Sequence, residues 1–190
     1  NIAYHGYLMR EVHRQNEKRQ INFEKALGSE QSLKAYITDS RARYKAIVGQ
    51  FPEKQDLRPQ ITGVVQGDGF WIEKVVFESL PGRYVTANLY MPEGQMKPVP
   101  AALEFCGHSF TGKIPFSRSA LLLAANGIAV MVVDPIGQGE RLQLIDETGA
   151  PLTRGATTEH TLLNTGLNLL GTSLDAQEFW DNHRALDYLM

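Results

Sequence analysis

The chain has 190 residues, 43% of them hydrophobic and 21% charged, a composition that suits one to two soluble globular domains. A formal net charge of -2 provides no electrostatic footprint for nucleic acid or for an anionic membrane. The single cysteine, Cys106, excludes an internal disulfide and a cysteine-built zinc cluster, and no apolar run reaches the ~20 residues of a membrane span.

The charge is uneven. Residues 1–60 carry 11 Lys and Arg against 7 Asp and Glu, whereas residues 61–190 carry 8 against 14. The first segment reads as helical, its basic excess on a solvated face. One helix is expected within Tyr4–Leu27. A second is expected over Ser29–Gly49, where Leu33, Ile37, Ser40, Tyr44, Ile47 and Val48 recur near one face, with Ser29 as N-cap and Gly49 beyond the end. Pro52 to Gly63 reads as a linker or wrapping segment. Asn1 in place of Met fits either a processed start, as in a periplasmic or secreted protein, or an artificial boundary of the sequence, and nothing in the sequence shows a signal peptide.

After Gly63 the pattern changes. Phe70–Ser79 and Tyr84–Met91, joined by Pro81-Gly82, form an expected β-hairpin with one buried face. Val99–Cys106 is an apolar strand, Phe116–Asn126 a helix closed by Gly127, and Ile128–Val133 a strand of the kind buried on both faces, together a βαβ unit. Residues 141–173 form a polar excursion without strand pattern. A last helix runs from Asp175 to Met190 behind start signals at Ser173 and Asp175, with Ala176, Phe179, His183, Leu186 and Met190 along its expected apolar face. The domain division is therefore 1–60, a helical segment and linker, and 61–190, an α/β domain.

Two loops could carry chemistry. Ala102–Lys113 leaves a strand through Gly107 and Gly112, which let backbone N–H groups turn toward an anion, either the oxyanion of acyl transfer or a phosphate. The phosphate alternative has support in Gly107–Lys113, which matches G-x-x-x-x-G-K, and in Asp134 after an apolar strand, as for a P-loop-like nucleotide-binding protein. Against it, Ile114 stands where a magnesium-binding Ser or Thr belongs, and Pro115 interrupts the helix that should follow. The second loop, Asp134–Arg141, turns through Gly137 and Gly139 at the carboxyl end of the sheet, where open α/β sheets place ligands. Its bland alternative is a packing turn whose Asp accepts backbone N–H bonds.

The hairpin with Val85–Pro92, the loop Phe105-Cys-Gly-His108, the turn Asp134–Gly139 and the helix through Arg184–Leu189 together resemble the α/β-hydrolase superfamily, in its acetylxylan-esterase-like carbohydrate esterase branch. The resemblance runs from about Ile61 to Met190. It implies the N-terminal half of an α/β-hydrolase sheet, a β-hairpin followed by a βαβ unit, behind a helical segment. It also implies that the His108 backbone N–H donates to the oxyanion, with Cys106 where the family usually has His. Ser109, Phe110, Asp134, Ile136 and Gln138 would then bind substrate, with the 141–173 excursion shaping access.

No G-x-S-x-G elbow occurs in the chain, so the resemblance implies that the nucleophile and the other triad members lie beyond Met190. The 190 residues alone are then expected to be inactive. Ser109, Asp134 and His160 or His183 supply the residue types of an internal triad, but His183 fits a core position and His160 a helix start. The expected substrate is a small ester or carbohydrate ester, with no metal or organic cofactor and no nucleic acid or membrane partner. A peptidase of the prolyl-oligopeptidase type and a non-catalytic hydrolase-like module share this half of the fold and stay open. In that fold Ala101–Cys106 would present an open edge that the rest of the same sheet completes.

Overall fold

A computed structural model describes residues 2–49, 51–94 and 98–190 of the chain, which divides into two compact units, Asn1–Gln50 and Phe51–Met190. The first unit is a helical hairpin of α1 (Ile2–Ala26) and α2 (Glu30–Val48). Ser29 caps α2 as expected: its Oγ accepts the Ser32 N–H at 3.1 Å, and the Ser32 Oγ accepts the Ser29 N–H at 3.0 Å. Gly49 closes the helix at φ +92°, its N–H on the Lys45 carbonyl.

The second unit is built on a five-stranded mixed sheet of order β1-β2-β3-β5-β4. Its strands are β1 (Gln60–Gln66), β2 (Phe70–Leu80), β3 (Arg83–Pro92), β4 (Ala101–Glu104) and β5 (Ala129–Val133). The expected hairpin is β2–β3, in antiparallel register from Phe70↔Pro92 to Glu78↔Tyr84, with a bulge before the last pair, Leu80↔Arg83. β5 pairs antiparallel with β3 and parallel with β4, so β4, α3 (Ser117–Ala124) and β5 are the expected βαβ unit. β4 pairs with no second strand among the described residues, and Phe105 just after it is 64% exposed.

All five residues of β5 are buried because both faces of the sheet are covered there. On one face Met131 and Val133 pack with Phe77, Val85, Ala87 and Leu89, closed by Ala185 of α5 (Leu174–Leu189). On the other, Val130, Val132 and Tyr90 pack against Ala120 and Ala124 of α3.

Three sequence expectations are refined. The segment read as a linker or wrapping segment does wrap onto α5 over its first part, while its end, Gln60–Gly63, belongs to β1. Arg184 donates to the Gln55 carbonyl, and Lys54 pairs with Asp187 at 2.7 Å. β1 escaped notice because it is the outer strand, exposed at nearly every position and bulged between Ile61 and Gly63, so no alternation marks it. The 141–173 excursion contains α4 (Ala156–Leu169). Its threonines and glycine disfavour helix, and the hydroxyls of Thr161 and Thr165, bonded back to the carbonyls four residues earlier, satisfy themselves without strengthening it.

Finally, α5 buries a face rotated from the expected one. Ala176 is buried as expected and His183 half-buried, but the rest of the buried face is Leu174, Trp180, Asp181, Arg184 and Ala185, whereas Phe179, Leu186 and Met190 are exposed. Paired charges occupy part of that buried face, so hydrophobicity alone misplaces it.

Candidate functional site

The loop 105–113 and the turn 134–141 leave the carboxyl ends of the parallel pair β4 and β5 and are knitted together beneath their surface. Asp134 is fully buried at the end of β5. Its Oδ1 accepts the Lys113 backbone N–H at 2.8 Å, and its Oδ2 accepts the Thr86 hydroxyl at 2.7 Å and the Lys113 ammonium. Gly112 and Gly139, at φ +54° and +58°, are required there: a Cβ on either would lie 2.0 or 2.2 Å from Asp134 Oδ1. The Gly139 N–H donates to the Phe110 carbonyl at 3.0 Å and so ties the turn to the loop.

Two further carboxylates hold the turn from below. Arg141 donates to the Asp134 carbonyl at 3.0 Å and to Asp181 at 2.7 Å, and Arg83 of β3 pairs with the other oxygen of Asp181. Glu159 of α4, fully buried, accepts the N–H groups of Gln143 at 2.7 Å and Leu144 at 3.3 Å.

The sequence-derived site residues divide between surface and scaffold. His108 is exposed, and among the described residues no acceptor takes its backbone N–H, whereas the next one, Ser109 N–H, donates to the Gln138 side chain. Gln138 is thereby 1% exposed, and Asp134 wholly inaccessible, so both act on the surface through the loops they hold. Phe110 lines a cleft of about 520 Å³ with Asn88, Thr111, Lys113 and Glu140. Ile136 is half-buried, and its carbonyl lies 2.7 Å from Nε2 of His160.

The residue types of an internal triad do not meet. The Ser109 hydroxyl is bonded to Thr111, Asp134 to Lys113 and Thr86, His160 to Ile136, and His183 packs between Phe51 and Trp180. Nor is Lys113 presented to a phosphate. It is 6% exposed, with its ammonium on Asp134 and Glu140, and Ile114–Phe116 form a 3-10 turn where a P-loop helix would start. Burial acts to lower the Lys113 pKa, but the bonds to Asp134 and Glu140 outweigh it and the net shift is upward. The Cys106 thiol donates to the Val133 carbonyl at 3.2 Å, and burial, with Asp134 and Glu104 adding to it, pushes its pKa up to about 12. It is a neutral thiol at pH 7 and a poor nucleophile.

Sequence reasoning missed Glu178 and Asp181. They stand four and seven residues after the buried Leu174, on the stripe that a helix turns inward, and charges at those positions were the available signal. Burial raises the Glu178 pKa to about 7, with Asp181 and Asp175 adding to the rise and Arg141 and His108 opposing it. Its Oε1 is 3.7 Å from His160 Nε2. Among the described residues no group of three or more His, Cys, Asp or Glu could hold a metal, and no helix is long and apolar enough to cross a membrane.

Residues 68–165 match the family described as acetyl xylan esterase (AXE1). A crystal structure from Bacteroides fragilis NCTC 9343, of a protein assigned as an acetyl xylan esterase, superposes with a TM-score of 0.67 at 22% identity, covering 83% of this chain and 43% of that one. An acetyl xylan esterase from Paenibacillus sp. R4 gives a TM-score of 0.47 at 21% identity, covering 78% of this chain and 44% of that one. The chain thus spans less than half the length of either. With the strand order, the first likeness shows a fold of α/β-hydrolase type. A search of curated proteins found no match.

Proposed function

The chain belongs to the acetyl xylan esterase (AXE1) family, and on that premise we propose that it forms the oxyanion side of a serine hydrolase acting on carboxylic esters of carbohydrates, acetylated xylan first among them. The observation that carries the proposal is the His108 N–H. It is left without an acceptor among the described residues at the carboxyl end of β4, while its neighbour Ser109 N–H is taken by Gln138. In acyl transfer, negative charge develops on the ester carbonyl oxygen, and a fixed backbone donor stabilises it. A serine hydroxyl would attack the carbonyl and lose its proton to a histidine, which returns it to the departing sugar hydroxyl. Water then hydrolyses the acyl-enzyme. In this reading the serine, histidine and acid come from sequence outside these 190 residues, which contain no G-x-S-x-G.

Ser109, Phe110 and Ile136 would form the rim that substrate meets, with Gln138 and Asp134 holding it from beneath, and the 141–173 segment would bound the entrance. The hydrolase domain would comprise residues 61–190 with the strap 51–59 packed on it, and the α1–α2 hairpin would precede it.

The full-length protein is expected to release acetate from acetylated xylan, with complete loss after treatment with a serine-directed phosphonate, and residues 1–190 alone to release none. His108→Pro, which deletes the N–H, should lower kcat by about 10²–10³-fold. Acetate release that survives the phosphonate, or release by the 190-residue chain that Ser109→Ala abolishes, would overturn the proposal.

A further inference from the structure

His160 touches both loops of the site at once. Its Nε2 lies 2.7 Å from the Ile136 carbonyl, an acceptor only, so that nitrogen carries a hydrogen and donates it to the turn 134–141. Its ring meets the ring of His108 at a centroid distance of 4.9 Å and an interplanar angle of 56°, a tilted contact on the loop 105–113. The histidine itself is anchored in the first turns of α4, immediately after Glu159, which is bound to the backbone of residues 143 and 144. The His108 side chain is otherwise exposed, and among the described residues no acceptor takes its backbone N–H. The following peptide is held by the Ser109 N–H on Gln138, so the ring contact with His160 adds a second restraint on the orientation of His108, from its side chain.

We propose that His160 is a positioning residue for the ester-hydrolysing site: one side chain that fixes the direction of the His108 N–H by ring contact and the height of the facing turn by its hydrogen bond to Ile136. This rests on the reading of His108 N–H as the oxyanion donor. A donor that serves the transition state must be held closely, and a displacement of about 1 Å costs up to about 100-fold in rate. Ground-state binding of the acyl group does not use that donor in the same way, so the loss should fall on kcat and leave KM in place.

The two links can be separated by substitution in the full-length protein, assayed on p-nitrophenyl acetate. His160→Ala removes both and is expected to lower kcat by about 30- to 100-fold with KM changed less than twofold. His160→Phe keeps a ring and loses the donor, and His160→Gln keeps a donor and loses the ring, so each should recover part of the loss, to within about tenfold of the unaltered protein. On a His108→Ala background the ring link is already gone, and His160→Gln should cost no more than twofold further, a non-additivity that a merely structural histidine would not produce.

If His160→Ala fails to fold, the comparison of Phe, Gln and the His108→Ala background decides alone. The inference is overturned if folded His160→Ala keeps kcat within twofold, if Phe and Gln are no better than Ala, or if the loss appears in KM. An unaltered protein that hydrolyses no ester overturns the site reading and this inference together. Normal hydrolysis with indifferent His160 variants overturns the inference alone.

Discussion

Gly139→Ala is the substitution that most directly tests the knot under the site. The residue has φ +58°, and a Cβ there would lie 2.2 Å from Asp134 Oδ1 and 2.6 Å from its Cγ. Holding alanine in the left-handed region costs roughly 1 kcal/mol, and forcing a methyl against a fully buried carboxylate that is already bound to Lys113 and Thr86 adds an overpacking cost of about 2 kcal/mol. Gly149 serves as the control, since it has φ +83° and nothing within 4 Å of the added Cβ, so Gly149→Ala incurs the backbone cost alone. The two variants should therefore differ by about 2 kcal/mol, with Gly139→Ala lowering the melting temperature by roughly 6–12 °C for a domain of this size. Denaturant unfolding followed by circular dichroism measures the difference. On an Asp134→Ala background the excess cost of Gly139→Ala should vanish, because the atoms it meets are gone. Equal destabilisation by the two glycine variants, or an excess that persists without the Asp134 carboxylate, would refute the claim that this close approach fixes the turn.

Two other predictions concern titration and reactivity. Glu178 is raised from 4.5 to about 7, chiefly by burial, so the folded state binds its proton more tightly than the unfolded state. The stability this confers is fully present below pH 4.5 and is lost as pH rises to about 7. Glu178→Gln should therefore be the more stable protein at pH 8, by on the order of 2–3 kcal/mol, and gain nothing at pH 4, as melting curves of both proteins across that range would show. Cys106, with its thiol pushed up to about 12, should react with iodoacetamide at pH 8 at least roughly a hundredfold more slowly than a free cysteine; a comparable rate would place the thiol in a different environment.

The elements that the sequence exposes are those whose pattern reports their burial. β5 is apolar throughout because α3 and α5 cover both faces, and β2–β3 alternate because the hairpin packs chiefly on one side. β1 was illegible and α4 legible only at its start, around His160, for opposite reasons. β1 buries almost nothing, so its residues carry no periodicity, while α4 is held at its start by Ala156 and the buried Glu159 rather than by an apolar stripe. The loops of the site were legible as loops, from Gly107, Gly112, Gly137 and Gly139. What the residues could not announce is which groups face outward. Asp134 and Gln138 read as rim and lie in the scaffold, because their partners, Thr86 and Ser109, are distant in the chain.

The distribution of charge beneath the site has a physical logic. Loops that leave the end of a sheet carry backbone N–H groups with no strand to receive them, and buried donors need acceptors. Apolar packing cannot supply these, but a carboxylate can accept several donors at once. Asp134 takes the Lys113 N–H, Glu159 takes those of residues 143 and 144, and Asp181 binds Arg141, whose guanidinium holds the Asp134 carbonyl. Each of these carboxylates is buried, so its bonds are little weakened by solvent, and removal of any one would strand its partners. The consequence is a rim fixed from below: Gln138 holds the Ser109 N–H and the Gly139 N–H holds the Phe110 carbonyl, while the His108 N–H has no acceptor among the described residues and its ring meets His160. In the proposed site, change at Ser109 or Phe110 is expected to alter which ester is accepted, whereas change at Asp134, Glu159 or Asp181 is expected to displace the loops those carboxylates hold.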